Sequence, residues 1–339
     1  MARIAYLVSS AREIELADGS RHPTGYFAEE AVKPYERFTA AGAEVVVLTP
    51  DGRPPFADPY GLEHFFHYPE EDQDFFASVT RTFHHDPDDI RVTLHQTTEL
   101  DLVVARRIVA LLMARGFAPA EAHALVSKAA KVAWQEDRRL GEVMVSEGLD
   151  GGLSSGEIQA AVDELDAEAR QLAAERKARL DAIPGFREPV SLASLGDEEL
   201  ARFDAVFTPG GHGPMVDLAD NPDVRRLLTV LHAKQVPIAS LCHGPAVLLS
   251  APDREDGQWL FDGYRLTCFT DEEEDQTVPG KLGLPWYVDT ALKNAGAVFD
   301  DGPAAWISHV VVDRNLITGQ NPASTEATAD ALLKAVSLR

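Results

Sequence analysis

Cysteine is scarce, with only Cys242 and Cys268 in 339 residues. So few exclude a disulfide scaffold and leave a zinc cluster built on thiolates unsupported. A reducing cytoplasm is the expected setting. Long apolar runs are missing as well. No stretch reaches the roughly 18 residues that a membrane-crossing helix needs. The opening run Ile4-Ala5-Tyr6-Leu7-Val8 is too short for a signal-peptide core and reads as a first strand. Basic residues are in deficit, 31 Lys and Arg against 55 Asp and Glu, for a net charge of −24. A chain this acidic repels phosphate backbones and anionic lipid, so neither nucleic acid nor a membrane is an expected partner, and a small-molecule substrate is. What remains is an ordinary globular mixture, 45% hydrophobic and 25% charged, long enough for two domains or for one with a large insertion.

Residues 3–8 form a continuous apolar run, as in a buried parallel strand. A helix is predicted from Phe27 to Ala41, with Pro34 inside it and Gly42 closing it. Glu44 to Leu48 is the next strand, which completes a βαβ unit. Pro and Asp then dominate to Tyr68. From about Glu99 to Ile183 only helical periodicity appears, including a Ser154/Glu157 capping box ahead of Ile158, Val162, Leu165 and Leu172. After Pro184 the alternation returns. Strands are predicted at 203–207, 236–241, 266–269, 310–312 and 316–318. Helices are predicted from Asn221-Pro222 to Lys234, from Gly244 onward, and from Ser324 to Val336. The expected organisation is an α/β domain made of residues 1–65 and 186–339, carrying a helical insertion over 66–185. A loop-tip insertion adds only a slowly growing closure cost.

The chemistry concentrates at Ile238-Ala239-Ser240-Leu241-Cys242-His243-Gly244-Pro245. A buried strand runs into the cysteine and a helix is predicted straight after it, the outline of a nucleophile elbow. Free N–H groups and the positive dipole end there would favour thiolate and hold an oxyanion; the same cysteine also fits a buried core position. Thr208-Pro209-Gly210-Gly211-His212-Gly213 follows another strand. Its glycines let the backbone approach a ligand and aim N–H groups into a cleft, which makes Gly210, Gly211 and His212 candidates for binding substrate or oxyanion. Pro23-Thr24-Gly25-Tyr26-Phe27-Ala28-Glu29-Glu30 places a carboxylate on the first crossover helix. His212 and His309 show no ligand spacing, so no metal is expected. Trp286 and Trp306 read as core or cleft-wall aromatics, and Asn321-Pro322 as a turn beside the site.

Four strings, PTGYFAEEAVKPY, FDAVFTPGGHGPMVDL, IASLCHGPAVLL and LITGQNPAS, occur in the order found in the ThiJ/PfpI superfamily of class I glutamine-amidotransferase-like proteins. They resemble most its glyoxalase III and heat-shock chaperone branch. The resemblance implies a flavodoxin-like parallel-sheet sandwich and a homodimer. It implies a cysteine-dependent lyase or hydrolase that needs no cofactor and converts a 2-oxoaldehyde to a 2-hydroxy acid through a hemithioacetal. By the same resemblance Cys242 is the nucleophile and His243 its histidine. Glu30 is the helix carboxylate acting as acid/base, with Glu29 the alternative if the register shifts by one. Backbone N–H groups of Gly211 and His243 match the oxyanion site. The third triad member falls among Asp271-Glu272-Glu273-Glu274-Asp275, with Glu274 favoured. Two other readings stay open. One is a biosynthetic enzyme using the same cysteine on a larger substrate, in hydration or C–N bond chemistry. The other is a stress chaperone in which Cys242 senses redox state.

The inserted block departs from that family. Residues 105–158 resemble the small C-terminal helical domain of the fumarase/adenylosuccinate lyase superfamily, but the lyase signature loop is absent and lyase chemistry is unsupported. The block is expected to cap the cleft, to mediate oligomerisation or to dock another protein.

Overall fold

A computed structural model describes residues 1–58, 61, 107–136, 138 and 140–337. The chain divides into two compact units, one of residues 1–67 and 174–339, the other of residues 68–173. Residues 174–185, which the sequence reading places in the insertion, thus belong with the α/β unit.

The α/β unit is built on a seven-stranded sheet. Its strands are β1 (Arg3–Leu7), β2 (Glu44–Thr49), β3 (Val190–Ser191), β4 (Ala205–Thr208), β5 (Ile238–Leu241), β6 (Val310–Asp313) and β7 (Leu316–Gly319). Across the sheet the order is β6-β7-β5-β4-β1-β2-β3. All neighbours are parallel except β6 and β7, an antiparallel pair at one edge. Alternation along each strand feeds two cores, one on each face. Ala5, Leu7, Val206, Ile238 and Leu316 pack on one side. Ile4, Tyr6, Val8, Phe207, Ala239, Leu241 and Ile317 pack on the other, with Phe38 of the first helix, Ala28–Ala40. This is the flavodoxin-like sandwich that the sequence implies.

Several elements differ from their sequence-based expectation. The segment 266–269 supplies a strand only at Arg265–Leu266, paired with Val298–Phe299 outside the main sheet, so Cys268 lies just past a strand rather than within one. No α-helix follows Cys242; a 3-10 helix, Gly244–Ser250, does. The helix Pro222–Ala233 starts as predicted, with Asn221 Oδ1 accepting from the N–H groups of Asp223 and Val224.

All regular structure among the described residues of the second unit is helical. Residues 107–114 are helical, followed by Pro119–Glu136, Leu140–Ser146 and the start of Ser155–Asp181. Its core joins Ile108, Leu112, Ala122, Val126, Ala129, Val143, Met144 and Ile158. Ser154 and Glu157 form the expected capping box, Ser154 N donating to Glu157 Oε2 at 2.9 Å and Glu157 N to Ser154 Oγ at 3.3 Å. The expected segment before residue 107 lies outside the described residues. No described helix is long and apolar enough to cross a membrane.

Candidate active site

The site forms at the C-terminal ends of β4 and β5, beside the point where the strand order turns back at β1, the usual ligand position of such sheets. Cys242 follows β5 with φ +58°, a left-handed conformation that few non-glycine residues adopt. Backbone bonds on both sides hold it there. Its N–H donates to Gly319 O at 2.9 Å, and its carbonyl accepts from Phe269 N at 2.9 Å. The next turn runs so close to β4 that a Cβ on Gly244 would sit 2.6 Å from Thr208 O. The strained elbow is therefore fixed by its neighbours.

Glu30 comes from the first turn of the first helix and is fully buried. Pro34, four residues on, has no N–H to give the Glu30 carbonyl. The Tyr6 hydroxyl fills that gap, donating to Ala31 O at 2.6 Å and to Glu30 O at 3.3 Å. In the carboxyl group, Oε2 accepts from Gly210 N at 2.8 Å. Oε1 is buried and meets no backbone or hydroxyl donor, and the Cys242 thiol is the polar group set against the carboxyl. Burial outweighs the Gly210 and Cys242 hydrogen bonds and pushes the Glu30 pKa up to about 8, so this group is a neutral acid near pH 7. Glu29, the alternative on sequence, points its charge elsewhere, into an ion pair with Arg176 at 2.7 Å.

The sulfur of Cys242 lies 3.3 Å from His243 Nδ1. His243 Nε2 lies 2.5 Å from Glu274 Oε2, and His212 Nε2 lies 2.9 Å from Glu274 Oε1. To meet a carboxylate, each Nε2 must carry its proton, so Nδ1 of a neutral His243 turns a lone pair toward the sulfur. Although burial works against it, Glu274 is held ionised well below the usual carboxylate range by the two imidazoles. Burial and the neighbouring His212 push the His243 pKa down, while Glu274 outweighs burial at His212 and pushes that one up. Any positive charge therefore rests on His212, and His243 stays free to accept a proton.

Cys242 itself departs from expectation. Only 3% of the residue is exposed. Burial first, then the Glu30 carboxylate, raises its pKa well above the ordinary thiol value, against the N–H groups of Gly211 and His243, which lower it. A 3-10 turn offers too little aligned dipole to offset that desolvation. The resting group is a thiol that needs a base, and His243 Nδ1 is the base in reach.

The structure also redistributes the glycine-rich loop. Gly210 N–H is spent on Glu30, so the N–H groups directed at the sulfur are those of Gly211 and His243. The His212 side chain joins Glu274 instead of the oxyanion position. His309 pairs with Asp300 at 3.3 Å, away from the cluster. Trp306 packs edge-on against Phe269, whose ring lies 4.5 Å from that of His243. Asn321 Nδ2 donates to Glu273 Oε1 at 2.8 Å, so it braces the neighbour of Glu274. Gly210 sits between acid and nucleophile. A Cβ there would lie 2.7 Å from both Cys242 Cβ and Glu30 Oε2. Gly210→Ala is expected to cut any Cys242-dependent turnover at least about tenfold and to destabilise by about 1–3 kcal/mol, as overpacking does. Steady-state kinetics and a denaturant melt measure the two effects.

His212, His243 and Glu274 have the composition of a divalent-metal site, with donor atoms within 4.8 Å of one another. Here both imidazoles meet the Glu274 carboxylate as a hydrogen-bonded cluster.

Residues 172–335 match the DJ-1/PfpI family. The bovine (Bos taurus) glutamine amidotransferase-like class 1 domain-containing protein 1 is 37% identical over 152 residues, which cover 44% of this chain and 66% of that protein. The protein/nucleic acid deglycase HchA of Pseudomonas aeruginosa is 33% identical over 151 residues, 41% of this chain and 50% of that one. Glyoxalase 3 of Candida albicans is 28% identical over 148 residues, 43% and 63% respectively. The chain thus spans less than two thirds of the length of these relatives. The crystal structure of the Candida albicans glyoxalase III superposes with a TM-score of 0.54 at 18% identity, over 99% of this chain and 97% of that one. The Francisella tularensis rapid encystment protein superposes with 0.57 at 16% identity, over 99% of each. These last two likenesses concern the fold. Sequence match, sheet order and the cysteine elbow agree in likening residues 172–335 to the DJ-1/PfpI family.

Proposed function

We propose that the protein is a cysteine enzyme for small reactive carbonyls, converting a 2-oxoaldehyde to a 2-hydroxy acid. The observation that carries this reading is the pairing of a neutral buried acid, Glu30, with the Cys242 sulfur, backed by the His243–Glu274 pair. Relatives named glyoxalase 3 and deglycase support the same class.

Each group has a task. His243 Nδ1 takes the thiol proton as the sulfur attacks the aldehyde carbon, and Glu30 protonates the carbonyl oxygen, giving a hemithioacetal. The Gly211 and His243 N–H groups steady the charge on oxygen as it forms. Glu30, now a carboxylate, removes the proton from the former aldehyde carbon. The electron pair shifts to give an enediol, with the protonated His243 supplying the oxygen-bound proton. Glu30 returns its proton to the adjacent carbon while the hydroxyl beside the sulfur gives its proton to the now neutral His243, which leaves a thioester on Cys242. Water hydrolyses that thioester, releasing the 2-hydroxy acid and the thiol. The balance is one aldehyde and one water to one hydroxy acid, with no external oxidant or reductant. Methylglyoxal consumption without added thiol, compared between the wild type and Cys242→Ala, is the test. Equal rates in the two would remove the reading.

A further inference from the structure

The first helix carries the candidate acid, and its rotation decides where that acid points. Successive residues of a helix lie 100° apart, so Glu29 and Glu30 face different directions. Glu29, Lys33 and Glu36 share one stripe, at spacings of four and three. Opposite them run the last turns of helix Ser155–Asp181. There Arg176 donates from Nε at 3.2 Å and from Nη2 at 2.7 Å to Glu29 Oε1. Arg179 makes a two-pronged bond to Glu36, Nε to Oε1 at 2.9 Å and Nη2 to Oε2 at 2.5 Å. The two pairs differ in burial. The Arg176 and Glu29 side chains are 3% and 14% exposed, those of Arg179 and Glu36 42% and 49%. Surface pairs contribute little, whereas breaking a buried pair leaves an uncompensated charge.

We propose that Arg176 is a positioning residue for the candidate acid: it neutralises Glu29, so that the Glu29 charge does not bear on Glu30 and, through it, on the Cys242 sulfur. This rests on the reading above for what the acid does, though the geometry stands without it. The groups facing Glu30 are Cys242 from the elbow, Gly210 N–H from the loop after β4, Tyr6 from β1 and Glu29 beside it on its own helix. Lys33 also reaches Glu29, at 3.4 Å, but is shared with Glu326 at 3.5 Å. The Glu29 charge already raises the proton affinity of Glu30, as Glu30 in turn raises that of the sulfur, and without Arg176 it acts with less compensation.

The test reads the sulfur directly. Wild type, Arg176→Met, Arg176→Lys, Glu29→Gln/Arg176→Met and Arg179→Met are alkylated with iodoacetamide across pH, and the Cys242 peptide is quantified by mass spectrometry. The proposal expects the Arg176→Met midpoint to rise by about one pH unit, with alkylation below that midpoint about tenfold slower. Arg176→Lys, the double variant and Arg179→Met should all stay within about twofold of wild type. An unmoved midpoint in Arg176→Met overturns the proposal, as does a double variant displaced as far as the single one. If Arg176→Met fails to fold, the double variant decides: a wild-type profile supports the charge argument and a displaced one ends it. If the wild type turns over no methylglyoxal, the functional reading falls, while the alkylation profiles still judge Arg176.

Discussion

Cys242→Ala is expected to lower methylglyoxal turnover at least about a thousandfold, the scale on which removing a nucleophile acts. The loss should appear in kcat, because the sulfur forms the bond on which every later step depends. Stability should change little by comparison. The residue occupies a left-handed position, φ +58°, which alanine adopts no more easily than cysteine, and the backbone bonds to Gly319 and Phe269 need no side chain. A circular-dichroism melt beside the rate measurement separates lost chemistry from lost fold. A variant that keeps a tenth of the wild-type rate would show that the sulfur is not the nucleophile.

Glu30→Gln carries the second large effect and has two readouts. The amide keeps the volume but neither gives nor takes a proton at neutral pH, so turnover should fall about 10²–10⁴-fold. Stability should respond in the opposite sense at alkaline pH. In the unfolded chain a glutamate ionises near 4.3, whereas in the fold burial holds the Glu30 proton up to about 8. Between those values the unfolded state binds fewer protons than the native one, so stability falls as pH rises. The full cost at pH 8 and above is on the order of 5 kcal/mol. Glu30→Gln removes this dependence, and its melting temperature relative to wild type should climb steadily from pH 5 to pH 8. Glu274 works with the other sign. Its proton affinity is depressed in the fold, so its contribution is present above about pH 4.3 and is lost on acidification. A Glu30→Gln difference that stays flat with pH would mean that the wild-type carboxyl ionises freely in the fold.

Much of this site is legible in the sequence because the backbone demands it. The elbow requires glycine after Cys242-His243, where a Cβ on Gly244 would lie 2.6 Å from a β4 carbonyl oxygen. The loop requires Gly210 between acid and nucleophile. Pro34 marks Glu30 as the residue whose backbone carbonyl lacks a helical partner, but it does not choose between the Glu29 and Glu30 carboxyls, which the ion pair of Glu29 with Arg176 does. Glu274 is one carboxylate among five, yet Thr270-Asp271-Glu272-Glu273 is itself a capping box. Thr270 Oγ1 accepts from Glu273 N at 3.1 Å, and Glu273 Oε2 accepts from Thr270 N at 3.0 Å. That commitment ties Glu273 to the cap and leaves Glu274 for the histidines.

What the sequence does not reveal depends on distant partners. His212 reads as an isolated histidine because its partner lies 62 residues away. The place of Cys242 before a predicted helix favours an ionised thiol, but the dipole of a 3-10 turn is outweighed by complete burial. The placement of 174–185 with the α/β unit follows from Leu180, Ile183 and Phe186 joining the core beside Tyr6 and Phe38, and from Arg176 meeting Glu29. No local pattern announces either contact.

The measurement closest to the central claim is product analysis by proton NMR, with methylglyoxal as substrate and no thiol added. The account predicts one lactate for each methylglyoxal consumed by the wild type, and none above background from Cys242→Ala or Glu30→Gln. Aldehyde that disappears without lactate, or lactate formed equally by the Cys242 variant, would contradict it.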